Sequence, residues 1–276
     1  MKPTLLIVNS KSGSAQAVGD RELRRSLRLA GLDIVKHVRF PDEDLPDRSS
    51  VESAKIEVVA ILSGDGTISS LCQQLAGWDG AILVLPGGTM NLLSRSLHGE
   101  KTLPELLEEL QRASWNANPV PVVCLGKREV FTGLTVGPSA RWGEVREGIR
   151  QGDVAELAET VPVAWSETLA QSGVWIDCGP EEAYAGIFVE PVDGETLSVT
   201  AFRANNLGDM VGHGIAWLRR DFREGPRDDL GMMRNVTISG DGRETGMLID
   251  GEVDEGPLPL TCAAGMSSVR FLKMVV

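Results

Sequence analysis

Two apolar runs, each followed directly by a glycine-containing turn, limit what this chain can fold into more than any other feature. The run 58–62 precedes SGDGT at 63–67, and the run 81–85 precedes PGGTMN at 86–91. Short apolar runs of this kind are typical of parallel strands that are buried on both faces. Ligands of open parallel sheets bind at the carboxyl ends of the strands. The two turns therefore predict a binding site at one edge of a parallel sheet.

The residue types in these turns favour a nucleotide as the ligand. Glycine lets the backbone come close to a phosphate, and the start of a helix offers unpaired N–H groups and the positive end of a dipole. Asp65 would repel a phosphate, so it is better suited to binding Mg²⁺ or to handling a proton. No G-x-x-x-x-G-K-[ST] segment occurs in the sequence, which excludes a Walker loop.

The first 120 residues alternate strand and helix patterns. Strands are predicted at 4–8, 32–35, 57–62 and 81–85, with helices from Ser14 to Ala30, after each glycine turn, and over 103–112. This rhythm predicts an α/β domain over residues 1–120, with a Rossmann-like parallel sheet and helices on both faces.

The pattern changes at 116–121, where short apolar runs separated by Gly, Pro and Asp-Gly turns begin. Residues 121–270 are predicted to form a mostly antiparallel β domain, a sandwich with inserted helices at 144–169 and 209–222. A second SGDG segment at 239–242 lies between two strand patterns, and its Asp-Gly pair predicts a hairpin turn. The strands predicted beyond residue 120 are 121–125, 129–135, 174–178, 184–189, 196–202, 236–239, 245–249 and 268–275.

Four segments, NSKSG at 9–13, SGDGT at 63–67, PGGTMN at 86–91 and DGE at 250–252, resemble the diacylglycerol kinase catalytic-domain family in kind and order. That family includes bacterial lipid kinases and sphingosine kinases and is distantly related to NAD kinases. The resemblance implies ATP-dependent phosphorylation of a lipid hydroxyl, with Mg²⁺, in a cleft between an α/β domain and a β-rich domain. It also implies that residues 271–276 return to the first domain.

The resemblance assigns roles to individual residues. Asp250 becomes the general base that takes the proton of the lipid hydroxyl, Glu252 orients it or shares the second metal shell, and Asp65 acts through Mg²⁺. From the residues alone, helix capping by Thr67, Thr89 or Asn91 and a plain hairpin at 250–251 remain alternatives. The residues assigned to nucleotide binding are Asn9, Ser12, Gly13, Ser63, Gly64, Gly66, Thr67, Gly87, Gly88, Thr89 and Asn91.

The chain departs from the family pattern at three places: the first leaves phosphate binding in place, and the other two affect the assignment of the substrate. Ser63 stands where the family usually has glycine, Leu92 stands where many bacterial members have an acidic residue, and 137–141 replaces a Gly-x-Asp-Ala stretch. Diacylglycerol is the simplest acceptor, and a sphingoid base or another lipid alcohol is an alternative. A non-catalytic nucleotide- or lipid-binding homologue is a further alternative. An NAD kinase is disfavoured, because those enzymes lack the PGGTMN-like element.

Composition narrows the partners. The net charge of −12 disfavours nucleic-acid binding, and the four scattered cysteines predict reduced packing residues. We expect a cytoplasmic protein that meets its lipid transiently at the membrane surface, since no apolar run is long enough to span a bilayer. Arg219, Arg220 and Arg223 form the best basic patch, although a solvated helix face is the favoured interpretation. The oligomeric state is open, with a homodimer as one alternative.

Overall fold

The structure is a computed structural model that describes residues 1–10, 19–141, 173–177, 179, 182–202 and 228–275. The chain divides into two compact units, which we call unit 1 (Met1–Pro121 with Met266–Val276) and unit 2 (Val122–Gly265). The helices predicted at 144–169 and 209–222 and the arginine patch at 219–223 lie outside the described residues.

Unit 1 contains a six-stranded sheet with helices packed on it. The sheet has the order β2-β1-β3-β4-β17-β5, and its neighbours are parallel except that β5 is antiparallel to β17. In chain order the elements are β1 (Lys2–Asn9), α1 (Asp20–Leu29), β2 (Leu32–Phe40), α2 (Arg48–Ser53), β3 (Val58–Ser63), α3 (Asp65–Gln74), β4 (Ala81–Pro86), α4 (Leu92–His98), α5 (Leu103–Leu110), β5 (Ser114–Asn118) and, from the end of the sequence, β17 (Arg270–Val275).

The core of unit 1 explains why its sequence alternates as it does. Every residue of β3 and β4 is buried, as expected for central parallel strands with apolar runs. Amphipathic helices cover the sheet: Leu23 and Leu27 of α1 and Leu106 of α5 join the same core cluster as Leu62 and Leu85 of the strands. The predicted α/β architecture is confirmed.

Unit 2 contains two sheets. The six-stranded sheet has the order β12-β11-β10-β8-β14-β15, and the five-stranded sheet has the order β7-β6-β16-β13-β9. Apolar side chains of both sheets form one core cluster, as in a β-sandwich. The strands are β6 (Pro121–Leu125), β7 (Arg128–Val130), β8 (Leu134–Val136), β9 (Val174–Ile176), β10 (Gly186–Pro191), β11 (Leu197–Phe202), β12 (Asp228–Met233), β13 (Asn235–Gly240), β14 (Glu244–Ile249), β15 (Glu252–Pro257) and β16 (Leu260–Met266).

The predicted antiparallel β fold of this region is confirmed, but two local predictions are wrong. The run 129–135 is not one strand: β7 and β8 belong to different sheets, and the turn between them passes through Gly133 at φ +152°. The second SGDG segment is not a hairpin either, because β13 pairs with β9 and β16 while β14 pairs with β8 and β15. Neighbouring residues in the sequence specify where the chain bends, whereas the pairing of strands depends on residues far away in the sequence.

Several elements carried no clear signal in the sequence. These are α2, β5, β12, β15 and β16. The strand β15 reads EVDEGP, and its acidic residues and proline match those of an edge strand that avoids further pairing. Among the described residues, no helix combines the length and the apolar character needed to cross a bilayer.

Candidate active site

The first loop of the candidate site is joined to the second by a side-chain contact. Because β1 and β3 are parallel neighbours with Val8 opposite Leu62, their carboxyl ends lie side by side. There the Asn9 Nδ2 atom donates a hydrogen bond to the Ser63 Oγ atom, at 3.3 Å. Ser63 is fully buried. Ser12 and Gly13, also assigned to the nucleotide, lie outside the described residues.

The two glycine turns pack directly against each other. The backbone N–H of Gly87 donates to the Ser63 carbonyl at 3.2 Å. A Cβ atom on Gly87 would lie 2.4 Å from the Ser63 nitrogen, and one on Gly88 would lie 2.7 Å from the Gly64 Cα atom. No side chain fits at either position, so these two glycines are required by the contact between the loops. A Cβ atom on Gly64 would lie an ordinary 3.7 Å from Gly88, so this contact does not require glycine there.

Asp65 connects the first turn to the helix that comes after the second. Its Oδ2 atom accepts a hydrogen bond from the Leu92 N–H and its Oδ1 atom accepts one from the Leu93 N–H, both at 3.1 Å. The side chain is buried. Asp65 thus caps the first turn of α4 from 27 residues away, where a carboxylate satisfies unpaired N–H groups and meets the positive end of the helix.

Asn91 occupies the N-cap position of α4, but its side chain makes hydrogen bonds within the second turn and does not cap the helix. It adopts the left-handed conformation, at φ 52° and ψ 40°. Its Oδ1 atom accepts a hydrogen bond from the Gly88 N–H at 2.7 Å, and its Nδ2 atom donates to the Gly88 carbonyl at 3.0 Å. Thr89 is exposed. The alternative that the Asn91 side chain caps α4 is therefore not realised, because the Asp65 carboxylate accepts the N–H groups of Leu92 and Leu93.

The remaining residues of the first turn lie at the start of α3. Gly64 is the N-cap of this helix, and Gly66 and Thr67 are in its first turn. Thr67 is a helical residue rather than the cap, so the capping alternative for it is wrong. The first N–H groups of an α-helix have no acceptor within the helix, which gives this ten-residue helix the donors that a phosphate group needs.

The metal prediction can be compared with the donors present. Among the described residues, no cluster of three or more His, Cys, Asp or Glu side chains is placed to hold a metal ion. A cage made entirely of protein groups is therefore not formed there. One carboxylate, Asp65, lies at the glycine turns. A single carboxylate combined with phosphate oxygens and water suits Mg²⁺, which usually binds enzymes in that way.

Asp250 lies in unit 2 and is held by the turn between β7 and β8. Its Oδ1 atom accepts hydrogen bonds from the Phe131 N–H at 2.9 Å, the Thr132 N–H at 2.7 Å and the Thr132 hydroxyl at 2.9 Å. Asp250 and Gly251, at φ 50° and 87°, form the two-residue turn of the β14–β15 hairpin. Positive φ at both positions is typical of type I′ turns, which favour Asp-Gly. The hairpin alternative is thus correct as geometry, and the buried carboxylate has specific partners as well.

Glu252 comes directly after this turn as the first residue of β15, opposite Ile249. Its side chain is exposed. The groups that fix the orientation of the Asp250 carboxylate in unit 2 include Phe131 and Thr132. Neither was predicted from the sequence, and nor were the N–H groups at positions 92 and 93. Backbone donors leave no trace in residue type, so only the apolar–turn–apolar pattern around 131–133 could have indicated a turn there.

Comparison with known proteins supports the resemblance. Residues 3–122 match the family model of the diacylglycerol kinase catalytic domain, so the resemblance is confirmed for the part of the chain that carries the first three segments. This match supports kinase chemistry for unit 1. No curated protein sequence matches the chain significantly.

Solved structures with a similar fold include two from Bacillus anthracis str. Sterne. One is a diacylglycerol kinase that is 17% identical, with a TM-score of 0.63, over 98% of this chain and 96% of that chain. The other, provisionally named a diacylglycerol kinase, is 16% identical with a TM-score of 0.61, over 99% and 97% of the two chains. At this level of identity the likeness shows that the fold is shared.

Proposed function

We propose that this protein is an ATP-dependent lipid kinase that phosphorylates a lipid hydroxyl, with diacylglycerol as the acceptor and phosphatidic acid as the product. One observation carries the proposal. The two glycine turns and Asn9 meet at the carboxyl edge of the parallel sheet of unit 1, within the region that matches the kinase domain.

In this proposal the triphosphate lies against the glycine turns. Gly64 tolerates a close phosphate because it has no side chain, and the first N–H groups of α3 supply hydrogen-bond donors. Thr67 adds a hydroxyl in the same helical turn. Mg²⁺, held by Asp65 together with phosphate oxygens, would neutralise charge on the transferring phosphoryl group.

The rigid second turn gives Asp65 a further task. Because both of its oxygens accept hydrogen bonds from α4, the carboxylate is fixed relative to the turn that precedes that helix. Phosphoryl transfer depends on positioning and charge neutralisation. A carboxylate held by two backbone donors loses little conformational freedom when the nucleotide binds.

The transfer step is a displacement at the γ-phosphorus. The oxygen of the lipid hydroxyl forms a bond to this phosphorus, the bond from phosphorus to the bridging oxygen of ADP breaks, and the hydroxyl proton passes to the Asp250 carboxylate. The three donors on Oδ1 fix the direction in which this carboxylate points, as general-base catalysis requires. Glu252, the exposed first residue of β15, would orient the Asp250 carboxylate or share the second metal shell.

The lipid substrate implies peripheral, transient contact with a membrane surface. With a net charge of −12, the whole molecule is not attracted to an anionic surface, so contact would depend on the lipid itself or on a local patch. The same charge argues against a nucleic-acid substrate.

The test is a product assay with purified protein, Mg²⁺ and γ-labelled ATP. Diacylglycerol, sphingosine, a polyprenol and NAD are offered separately, and products are identified by mass. We expect phosphatidic acid. If sphingosine phosphate or polyprenyl phosphate were the only product, the protein would be a lipid kinase with an acceptor other than diacylglycerol. Formation of NADP would overturn the proposal of a lipid kinase. ATP binding without any product would favour the non-catalytic homologue.

A further inference from the structure

We propose that Ser63 is a positioning residue for the nucleotide, which acts by orienting the carboxamide of Asn9. This inference rests on the proposed function, since it concerns the ATP site of the kinase. It assigns a purpose to a residue that departs from the family pattern, in which this position is usually glycine.

Ser63 does not itself offer a surface to a ligand. Its side chain has no exposed area, so a nucleotide cannot reach its hydroxyl without rearrangement of the surrounding strands. Asn9, at the end of β1, is half-buried and extends from the same sheet edge. Any effect of the Ser63 hydroxyl on the nucleotide therefore has to pass through a neighbour, and the neighbour it contacts is Asn9.

The contact determines how Asn9 is presented. A primary amide donates through nitrogen and accepts through oxygen. The hydrogen bond from Nδ2 to Ser63 Oγ, at 3.3 Å, restrains the rotation of the amide, and with it the direction of its acceptor and its second N–H. A glycine at position 63 would have no hydroxyl to supply this constraint.

The backbone of Ser63 makes the constraint rigid. Its carbonyl accepts the Gly87 N–H at 3.2 Å, and a Cβ atom on Gly87 would lie 2.4 Å from its nitrogen. Ser63 thus contacts the loop after β4 through its backbone and the last residue of β1 through its side chain. The contact with Gly87 opposes displacement of the Ser63 main chain. The Ser63 hydroxyl is therefore held in one position relative to the Asn9 amide.

The experiment measures ATP affinity by titration calorimetry in Ser63→Ala, which removes only the hydroxyl. We expect about 3- to 10-fold weaker binding, as for the loss of one hydrogen bond, with kcat at saturating ATP within about 2-fold and a raised KM for ATP. The matched control is Ser69→Ala. Ser69 is also buried, and its hydroxyl has no hydrogen-bond partner in the described part of the chain, so its affinity should match the wild type. Ser63→Gly, which restores the usual family residue, should behave like Ser63→Ala.

A double-mutant cycle with Asn9→Ala separates positioning from general destabilisation. If Ser63 acts through Asn9, Ser63→Ala should weaken binding in the wild type but by less than about 1.5-fold in the Asn9→Ala background. An equal loss in both backgrounds, or an affinity of Ser63→Ala equal to that of Ser69→Ala, overturns the inference while the kinase proposal stands. A wild-type protein that does not bind ATP overturns both.

Discussion

The tetrapeptide Ser-Gly-Asp-Gly occurs at 63–66 and again at 239–242, and the two copies have different surroundings. In the first copy Asp65 is buried and accepts hydrogen bonds from two N–H groups at the start of α4. In the second copy Asp241 is exposed, and its carboxylate accepts the Gly173 N–H at 3.3 Å. The first copy leads into a helix, and the second connects strands of two different sheets.

The difference indicates that the ability of this motif to form a phosphate-binding site depends on the element that comes after it in the chain. A helix after the turn brings unpaired N–H groups to the site. A neighbouring parallel strand brings a second glycine turn, which packs against the first. A strand after the turn supplies neither. The same four residues therefore build a candidate phosphate site in unit 1 and a loop between sheets in unit 2.

The sharpest test of this contrast is to remove each aspartate. Asp65→Ala should lower ATP-dependent phosphorylation by at least about 100-fold, as for the loss of one charge-stabilising group. It should also cost about 1 kcal/mol of stability through the lost helix cap. Asp241→Ala should keep activity within about 2-fold, because an exposed loop residue of this kind contributes little. Turnover assays and urea unfolding check both, and a folded Asp65→Ala protein with full activity contradicts the mechanism.

The third Asp-Gly turn, at 250–251, sharpens the comparison further. Asp250→Asn keeps an oxygen to accept the hydrogen bonds from Phe131 and Thr132 but cannot take a proton, so the fold should persist while turnover falls by about 100-fold. Asp250→Ala leaves those donors without their acceptor and should also lower stability. Equal turnover of Asp250→Asn and the wild type would remove Asp250 as the base.

Glycine-to-alanine substitutions separate packing from ligand contact. Gly88→Ala should cost about 2 kcal/mol, because its Cβ atom would lie 2.7 Å from the backbone of Gly64. Gly64→Ala meets only a 3.7 Å contact, so stability should change by less than about 1 kcal/mol while ATP affinity falls. Gly242→Ala, in the second copy, should leave ATP affinity unchanged. Unfolding midpoints and calorimetric titration distinguish the three, and unchanged ATP affinity in Gly64→Ala would argue against a phosphate at that turn.

Lowering the pH should reduce the stability of the protein through His98, the last residue of α4, which is the helix that Asp65 caps. Burial lowers the pKa of His98 to about 4. In the unfolded state His98 therefore binds a proton near pH 6.5, whereas in the folded state it stays neutral until the pH is much lower. The stability of the folded state falls as the pH drops below 6.5. Between pH 7 and 5.5 this contribution is about 1 kcal/mol.

The measurement is urea unfolding at both pH values. His98→Leu should lose about 1 kcal/mol less than the wild type between pH 7 and 5.5. An unchanged pH dependence in His98→Leu would show that this side chain is not the source.

Local pattern was sufficient for much of the fold. The apolar runs before each glycine turn predicted β3 and β4 because central parallel strands are buried on both faces. The strand β5 was not predicted, since SWNAN has little apolar character and pairs with β17 from the far end of the sequence. The split of 129–135 between two sheets depends on Gly133, where a Cβ atom would lie 2.6 Å from the ring of Phe188.

The candidate site was predictable as a set of loops but not as a set of contacts. The order of the strands implied that the turns after β3 and β4 would be neighbours, because consecutive parallel strands usually are. Nothing in the residues indicated that Asp65 would cap α4 or that Ser63 would hold Asn9. These are contacts between side chains and partners 27 to 54 residues away, and they depend on how the finished loops pack.

The strand β17 lies between β4 and β5 in the sheet of unit 1, although its residues come after all of unit 2. During synthesis on the ribosome, the segment that carries residues 9–13, 63–67 and 86–91 therefore emerges long before an inner strand of its own sheet exists. Until residues 270–275 arrive, β4 presents an open edge, and a nascent chain in that condition is exposed to mispairing and to holdase chaperones. The sheet of unit 1 is therefore completed only after the whole of unit 2 has been synthesised.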